Sequence, residues 1–228
     1  MAWTFVDSDG YGASASSTTI ATPGVTVAAG DLAVVLVSYE GTATTLSVSD
    51  GTSSLTEWVV GQKYASGLTL DVFYILASVA SGTNSVVYTA TFGGGGRTYR
   101  NIAVMVFTPP SAASLDGTAV AASGTSTALA SGNITTTGTD GIAFGAYAEY
   151  GLFLNTEKIN GVTLERKQIA YGLRSELWQI AYSAGFTGQA TAVLTSNTWI
   201  GGVIAFKADA AASTPLPVFL NLQRQFRQ

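Results

Sequence analysis

The chain has 228 residues, which is enough for one large β domain or two small ones. Only 11% of its residues are charged, against about a quarter in an average soluble domain, and the formal net charge is −4. The ten Lys and Arg residues are scattered along the chain, so the composition argues against a role dominated by nucleic-acid binding.

The chain contains no cysteine and no histidine. Disulfides and thiolate metal sites are therefore excluded, and the commonest general base and metal ligand is missing, so we expect no cofactor. The first residues show no signal-peptide pattern, and no run of about 18 apolar residues predicts a transmembrane helix. These features predict a protein that is made and folded in a cytoplasm and does not bind membranes.

Turn-separated apolar runs predict strands throughout the first half of the chain. The predicted strands are 3–6, 18–27 with a break at Pro23-Gly24, 32–39, 46–49, 57–64, 68–77, 85–92 and 102–107. A loop is predicted at 7–17, and turns at Asp50-Gly51, 65–67, 81–84 and 93–96. The run 32–39 is continuously apolar, which predicts a strand that is buried on both faces.

The second half has the same rhythm after a linker at 111–124 that is rich in Ala, Ser and Gly. Strands are predicted near Ile134 and at 142–150, 162–171, 176–183, 190–195 and 203–207. No segment before residue 209 has helical periodicity, so the chain is predicted to be all-β, as a sandwich or barrel.

The two halves also correspond segment by segment. The run 30–41 returns at 139–151, and 68–75 is echoed by 173–180. Tyr99 followed by 102–107 matches Trp199 followed by 202–206, and the lead at 16–21 matches 125–130. The pattern predicts a duplicated unit of roughly 100 residues.

Two architectures fit such a repeat. Each copy could form its own sandwich, at 1–110 and 111–208, or the copies could merge into one jelly-roll-like body. An intact unit could fold before it was duplicated, which favours two separate sandwiches.

The composition changes again at 209–228. Pro215-Leu216-Pro217 is extended by its prolines, and the residues after it are first apolar and then basic. A frayed terminus is one interpretation. Large apolar side chains without a domain around them favour an arm that docks on a neighbouring subunit. The residues predicted to make the contact are Pro215, Leu216, Val218, Phe219, Leu220, Leu222, Arg224, Phe226 and Arg227.

The carboxylates include one candidate catalytic pair. Glu40 and Glu149 occupy near-equivalent places in the repeat, at the exit of the apolar strand. A glycosidase needs two carboxylates that face each other across a cleft. A solvated carboxylate near a turn is the more ordinary interpretation, so we expect no catalytic residues.

Other motifs are weaker. Asp7-Ser8-Asp9-Gly10 resembles the start of a calcium loop but lacks the later ligands, and the run 93–96 lacks the Lys-Ser/Thr of a phosphate loop. Most aromatic residues fall within apolar strands, where packing is the better interpretation. The better candidates for stacking on a sugar ring lie near predicted turns and are Tyr11, Tyr150 and Phe153.

The repeat, the segment SGLTLDVFYILASVASGTNSVVYTATFG at 66–93 and the closing WIGGVIAFKA at 199–208 carry a resemblance. Over residues 1 to about 208, the chain resembles the Gly/Ser/Thr-rich β-sandwich proteins of tailed-phage structural gene clusters and of some bacterial surfaces. The resemblance implies a virion component, such as a capsid decoration protein, a head fibre or a tail subunit. It brings no catalytic residues.

Such a component would contact capsid or tail subunits, and decoration proteins of this kind often trimerise, so we expect a homo-oligomer. The alternatives are a carbohydrate-binding module on a phage fibre or cell surface and, less favoured, a glycan-cleaving enzyme.

Overall fold

The computed structural model describes residues 2–150, 158–159, 166–171, 173–183 and 186–209. These residues form strands and connecting turns, so the all-β prediction is confirmed. Within the described ranges, no helix is long and apolar enough to cross a membrane. The strands are β1 (Thr4–Ala13), β2 (Thr19–Ala21), β3 (Val25–Val27), β4 (Leu32–Glu40), β5 (Leu46–Ser49), β6 (Thr56–Glu57), β7 (Lys63–Ala65), β8 (Leu68–Ile75), β9 (Gly82–Val86), β10 (Thr89–Phe92), β11 (Arg100–Thr108), β12 (Ala113–Leu115), β13 (Val120–Ala130), β14 (Ile134–Thr135), β15 (Asp140–Glu149), β16 (Lys158–Ile159), β17 (Arg166–Tyr171), β18 (Leu173–Ser183), β19 (Thr187–Gly188) and β20 (Ala190–Ala208).

Two large antiparallel sheets hold most of the strands. The first sheet has the order β1-β11-β4-β8-β6, with β7 also paired to β8. The second sheet has the order β12-β20-β15-β18-β17, with β13 and β16 also paired to β20. The order is therefore the same in both sheets, with β4 and β15 at the centre.

Smaller strand groups lie on the outer side of each large sheet. The first sheet is covered by β2-β10-β5 and by the β3–β9 pair, and the second sheet by the β14–β19 pair and part of β13. We call the apolar clusters beneath these covers the first inner core and the second inner core. The first contains Val35 and Tyr39 of β4, and the second contains Ala143 and Tyr147 of β15.

The two large sheets pack on each other through their remaining faces. Leu32, Val34 and Leu36 of β4 lie in one cluster with Phe144 and Ala146 of β15, and we call this cluster the shared core. Because side chains alternate along a strand, β4 supplies one face to the shared core and the other to the first inner core. The prediction that 32–39 is buried on both faces is confirmed.

A row of aromatic rings crosses the shared core. Phe5 contacts Phe107, which contacts Phe144 of the second sheet, with ring centroids 5.5 Å apart in both pairs. Phe144 contacts Phe206 at 5.8 Å, and Phe206 contacts Tyr74 of the first sheet at 5.3 Å. All four contacts are edge-to-face, a geometry worth about 0.5–1.5 kcal/mol per pair beyond area burial. The row therefore ties the two sheets together.

Trp58 also joins the two sheets. It follows β6 in a tight turn, in which the Trp58 indole N–H donates to the Gly61 carbonyl at 2.9 Å. Its ring lies in the shared core over Gly202 of β20, where a Cβ would overlap the ring. Glycine is needed there because the aromatic ring occupies the place of a side chain.

Some sequence predictions are wrong in detail. The loop predicted at 7–17 is strand to Ala13, because β1 pairs with β11 as far as the Ala13–Arg100 pair. The linker predicted at 111–124 contains β12 and the start of β13, both formed by pairing with β20. Local composition suggested loops in both places, but a neighbouring ladder supplied hydrogen-bond partners for the backbone.

Three further boundaries differ. The predicted strand 57–64 is two short strands, Thr56–Glu57 and Lys63–Ala65, which overlap only its ends. The turn predicted at 81–84 lies mostly within β9, and 190–195 and 203–207 belong to the continuous strand β20. The turn after residue 65 is confirmed: Ser66 and Gly67 both have positive φ, at 46° and 92°, as a two-residue hairpin requires.

Candidate functional site

The residues predicted to form the docking arm, Pro215 to Arg227, lie outside the described residues. The root of the arm, Asp209, lies within the described residues. It is hydrogen-bonded to β12 and to the residues just before it. The Asp209 amide donates to the Ala112 carbonyl at 2.7 Å. The Ser111 hydroxyl donates to the Asp209 carbonyl and the Ser114 hydroxyl to the Asp209 carboxylate, both at 2.6 Å. The root is therefore fixed to the edge of the second sheet.

Two cavities lie beside β12. The larger one, the exit cavity, has a volume of about 370 Å³ and is lined by Ser111 and Ala112, which also hold Asp209. The smaller one, the Trp58 cavity, has a volume of about 210 Å³. Its lining includes Trp58, Val59, Tyr74, Leu115, Ala119 and Ile204. Neither lining includes a carboxylate, so neither cavity has the acid–base groups of a hydrolase.

Glu40 and Glu149 do not occupy equivalent positions in the structure. Glu40 shares a strand face with Leu36 of the shared core, and its carboxylate accepts a hydrogen bond from Thr98 at 2.8 Å. Glu149 is fully buried and shares a strand face with Tyr147 of the second inner core. The two carboxylates therefore lie on different faces of their strands, which does not favour a shared cleft.

The cross-strand pairs show that the alignment of 30–41 with 139–151 is wrong by one residue at the two glutamates. Leu32 pairs with Phe107 in the first sheet, and Ile142 pairs with Phe206 in the second. Counting seven residues onward from Leu32 and Ile142 makes Glu149 equivalent to Tyr39 and not to Glu40. A slip of one residue along a strand moves a side chain to the opposite face of the sheet.

Sequence reasoning missed a buried acid that does have an equivalent. Asp71 lies opposite Val37 on β4, and Glu176 lies opposite Tyr147 on β15, so the two acids hold the same place in their sheets. Both side chains are fully buried. The echo of 68–75 by 173–180 already aligned these two acids, and this was the signal that could have found them.

Asp71 is a buried acid whose pKa is raised by an acidic neighbour as well as by burial. Burial, together with a hydrogen bond and repulsion from the exposed side chain of Glu57, raises the pKa of Asp71 to about 9. One of its carboxylate oxygens accepts the amide of Val72 at 2.8 Å. Tyr39 lies near Asp71, and burial is the main cause that raises the pKa of Tyr39 to about 12. The arrangement keeps a neutral carboxylic acid inside the first half near neutral pH.

Another buried acid, Asp116, connects β12 to the second inner core. Its carboxylate accepts the amides of Thr137 and Gly138, both at 2.8 Å, and the hydroxyl of Tyr182 at 2.7 Å. Burial raises the pKa of Asp116, but these donors, led by the Thr137 amide, outweigh burial and lower it. Asp116 is therefore an ionised structural anchor.

The short motifs are occupied by local contacts. Asp7 lies in β1, and its carboxylate accepts the amides of Ser8 and Thr26, both at 2.8 Å. No group of three acids that could hold a metal ion occurs in the described part of the chain. At the glycine-rich tip, the Arg97 guanidinium donates to the carbonyl of Gly93 at 3.3 Å.

The residues predicted to stack on sugars differ in exposure. Tyr11 lies in β1 and is 52% exposed. Tyr150 follows β15 and is half-buried against the shared core, where burial raises its pKa, with smaller contributions from Glu40 and Tyr64. Phe153 lies outside the described residues. Tyr64, which the sequence does not single out for this role, is 50% exposed and lies near Tyr150.

Comparison with protein-family models and with curated proteins gives no match for this chain. Its function is therefore inferred from its own residues and contacts. Two features remain as candidate functional elements: the anchored root of the arm with its neighbouring cavities, and the exposed tyrosines.

Proposed function

We propose that the protein is a non-enzymatic structural component of a tailed-phage virion, such as a capsid decoration protein or a head or tail accessory protein. It self-associates, and it docks on other virion subunits through its C-terminal arm. The observation that carries the proposal is the anchored root of the arm, where three hydrogen bonds hold Asp209 to the edge of the second sheet.

The body of the molecule suits a mechanical role. The central strands β4, β8, β11 and β15 are buried on both faces, and such doubly buried strands are stiff because their side chains are closely packed. A stiff body with a fixed root presents the arm from one defined place. The arm then carries its apolar side chains, with Arg224 and Arg227 behind them, to a partner surface.

The chemistry of the arm indicates the kind of surface that would receive it. Its six large apolar side chains fit a groove between neighbouring subunits, and its two arginines fit carboxylates at the rim of that groove. A groove of this type on an assembled shell would be absent from free shell subunits.

A truncation after Asp209 tests the proposal. Because the anchoring contacts of Asp209 are retained, the truncated body is expected to fold with an unchanged circular-dichroism spectrum. It is expected to lose co-sedimentation with phage particles, which the full chain retains. A full-length Phe219→Asp, Leu220→Asp variant keeps the length of the arm and should also lose co-sedimentation with phage particles. Particle association by the truncated body would overturn docking through the arm.

One observation favours a second candidate function, glycan binding. Tyr64, Tyr150 and Glu40 lie near one another at one end of the shared core, and aromatic faces beside a carboxylate are suited to sugar rings. Glycan binding that is lost in Tyr64→Ala and Tyr150→Ala, but kept in Tyr11→Ala, would support this candidate. Binding that is unchanged in all three variants, or absent from the wild type, would exclude it.

A further inference from the structure

The Trp58 cavity is an apolar site with an exposed rim. Its floor is formed by Trp58, Tyr74 and Ile204, which are 2%, 8% and 1% exposed. Its rim is formed by Val59 and Leu115, which are 75% and 43% exposed and are among the exposed large apolar side chains of the described chain. Apolar side chains grouped around a cavity usually mark an interaction site.

The volume of the cavity suits a side chain better than a small ligand. At about 210 Å³, it is smaller than the roughly 300–1,000 Å³ of typical small-molecule pockets. Its lining has no charged group, and its polar side-chain groups are limited to those of Trp58, Tyr74 and Thr118. An occupant is therefore expected to be apolar and to bind through one or two large side chains.

The root of the arm lies within reach of this cavity. Ala112 binds the Asp209 amide, and Leu115 on the cavity rim lies three residues further along the same edge, a distance of about 10 Å. The linker 210–214 has five residues, for which a flexible chain has a root-mean-square span of about 12 Å. The linker length therefore matches the distance.

The direction of the chain adds one requirement. β20 runs antiparallel to β12, from the Phe206–Leu115 pair to the Ala208–Ala113 pair, so the chain at Asp209 is heading away from the Trp58 cavity. The linker must turn back to reach it. Three alanines, a serine and a threonine at 210–214 allow a turn without burying a charge.

We propose that the apolar segment 215–222 of the same chain folds back along β12 and inserts a large side chain into the Trp58 cavity. A short tether gives an effective concentration in the millimolar range, so the chain's own segment outcompetes that of a second copy. The inference concerns the same arm as the proposed function but does not depend on a virion. If both hold, the arm is stored on its own body and is exchanged onto the partner during docking.

Engineered cysteine pairs test this proposal, since the chain has no cysteine of its own. Leu115→Cys is combined in turn with Leu216→Cys, Val218→Cys, Phe219→Cys or Leu220→Cys in the full chain. Under mild copper-catalysed air oxidation, at least one pair is expected to form an intramolecular disulfide, seen as a monomer with a shifted mobility on a non-reducing gel. The matched control combines each arm cysteine with Tyr11→Cys instead of Leu115→Cys. The Tyr11 side chain has a similar exposure and lies near the C-terminal end of β1 in the first sheet. The control pairs should react at least tenfold more slowly.

A second variant tests the cavity itself. Val59→Asp places a charge on the exposed rim without removing a buried side chain, so the fold is retained, and it should slow the Leu115 crosslink at least threefold. Equal crosslinking rates at Leu115→Cys and Tyr11→Cys would overturn the proposal. So would faster crosslinking between two single-cysteine chains than within one double-cysteine chain. Because these readouts use the isolated protein, they are independent of particle co-sedimentation.

Discussion

The two halves of the molecule share one strand order but fill it with different side chains. Counting from the equivalent pairs Phe107–Leu32 and Phe206–Ile142, Ala103 of the first half corresponds to Gly202 of the second. At this position the first half has the Ala103 side chain, which lies in the shared core, whereas the second half has Gly202, over which the Trp58 ring lies. The same place in the two ladders therefore holds a small side chain in one half and, in the other, a glycine that receives a ring from the first half.

The buried acids show a similar contrast. The Asp7 carboxylate in β1 accepts a hydrogen bond from the Thr26 amide in β3. The Asp116 carboxylate after β12 accepts one from the Thr137 amide after β14. Asp7 is half-buried, and its carboxylate accepts two amides. Asp116 is 1% exposed and also accepts hydroxyl groups. The Asp116 carboxylate therefore accepts four hydrogen bonds, against two for the Asp7 carboxylate.

The largest expected effect comes from breaking the contact between the halves. Trp58→Ala removes a side chain that is 2% exposed in the shared core, and a change of this kind costs about 3–5 kcal/mol. Urea unfolding followed by circular dichroism should show this loss in the free energy of unfolding. Val59→Ala, at the exposed neighbouring position, is the control and should cost less than about 0.5 kcal/mol. A loss below about 1 kcal/mol in Trp58→Ala would mean that the halves do not depend on this ring.

The next effect tests the glycine that receives the ring. Gly202→Ala places a methyl group where the Trp58 ring lies, and overpacking of this kind costs about 1–3 kcal/mol. In a Trp58→Ala background the clash with the ring disappears, so the same change should cost much less. Unfolding free energies of the two single variants and the double variant give the coupling directly. Additive losses would show that Gly202 is required for another reason.

The Asp116 anchor is expected to make the stability of the protein depend on pH. Asp116→Asn disrupts a set of hydrogen bonds to an ionised group and should cost about 2 kcal/mol at pH 7. Because the folded-state pKa of Asp116 is lowered, its stabilisation is present above the unfolded pKa of about 3.9 and is lost as pH falls further. The difference in melting temperature from the wild type should therefore shrink toward pH 2. Asp7→Asn is the matched variant, with a smaller expected loss. A gap that stays constant with pH would contradict an ionised anchor.

The last prediction is a gain in stability. The pKa of Asp71 is raised to about 9, so its protonated form contributes stability that is complete below the unfolded pKa and declines as pH rises toward 9. Asp71→Asn mimics the protonated acid and should be more stable than the wild type at pH 8, by an amount that grows as the pH rises from 4 toward 9. Thermal melts from pH 4 to 9 should show a flatter curve for the variant. Identical slopes for variant and wild type would mean that Asp71 does not titrate in this range.

Much of the fold could be predicted because its signals are local. The unbroken apolar run 32–39 predicted a doubly buried strand, and the short turn after residue 65 predicted a hairpin. The echo of 68–75 by 173–180 placed equivalent strands in the two sheets, including the two buried acids. For the candidate site, the sequence predicted an apolar arm after Asp209 but not the cavities beside its root, since these are built by segments far apart in the chain.

The sequence alone determined the strand class and the doubly buried centre, because hydrophobic periodicity and turn chemistry act over a few residues. Only the tertiary structure decided that polar segments such as 7–13 become strands, because their backbone groups needed the β11 ladder as a partner. Only the tertiary structure separated Glu40 from Glu149, since a one-residue difference in register changes the face of a strand. It also placed Trp58 over Gly202, a contact that joins residues far apart in the chain and leaves no local pattern in either segment.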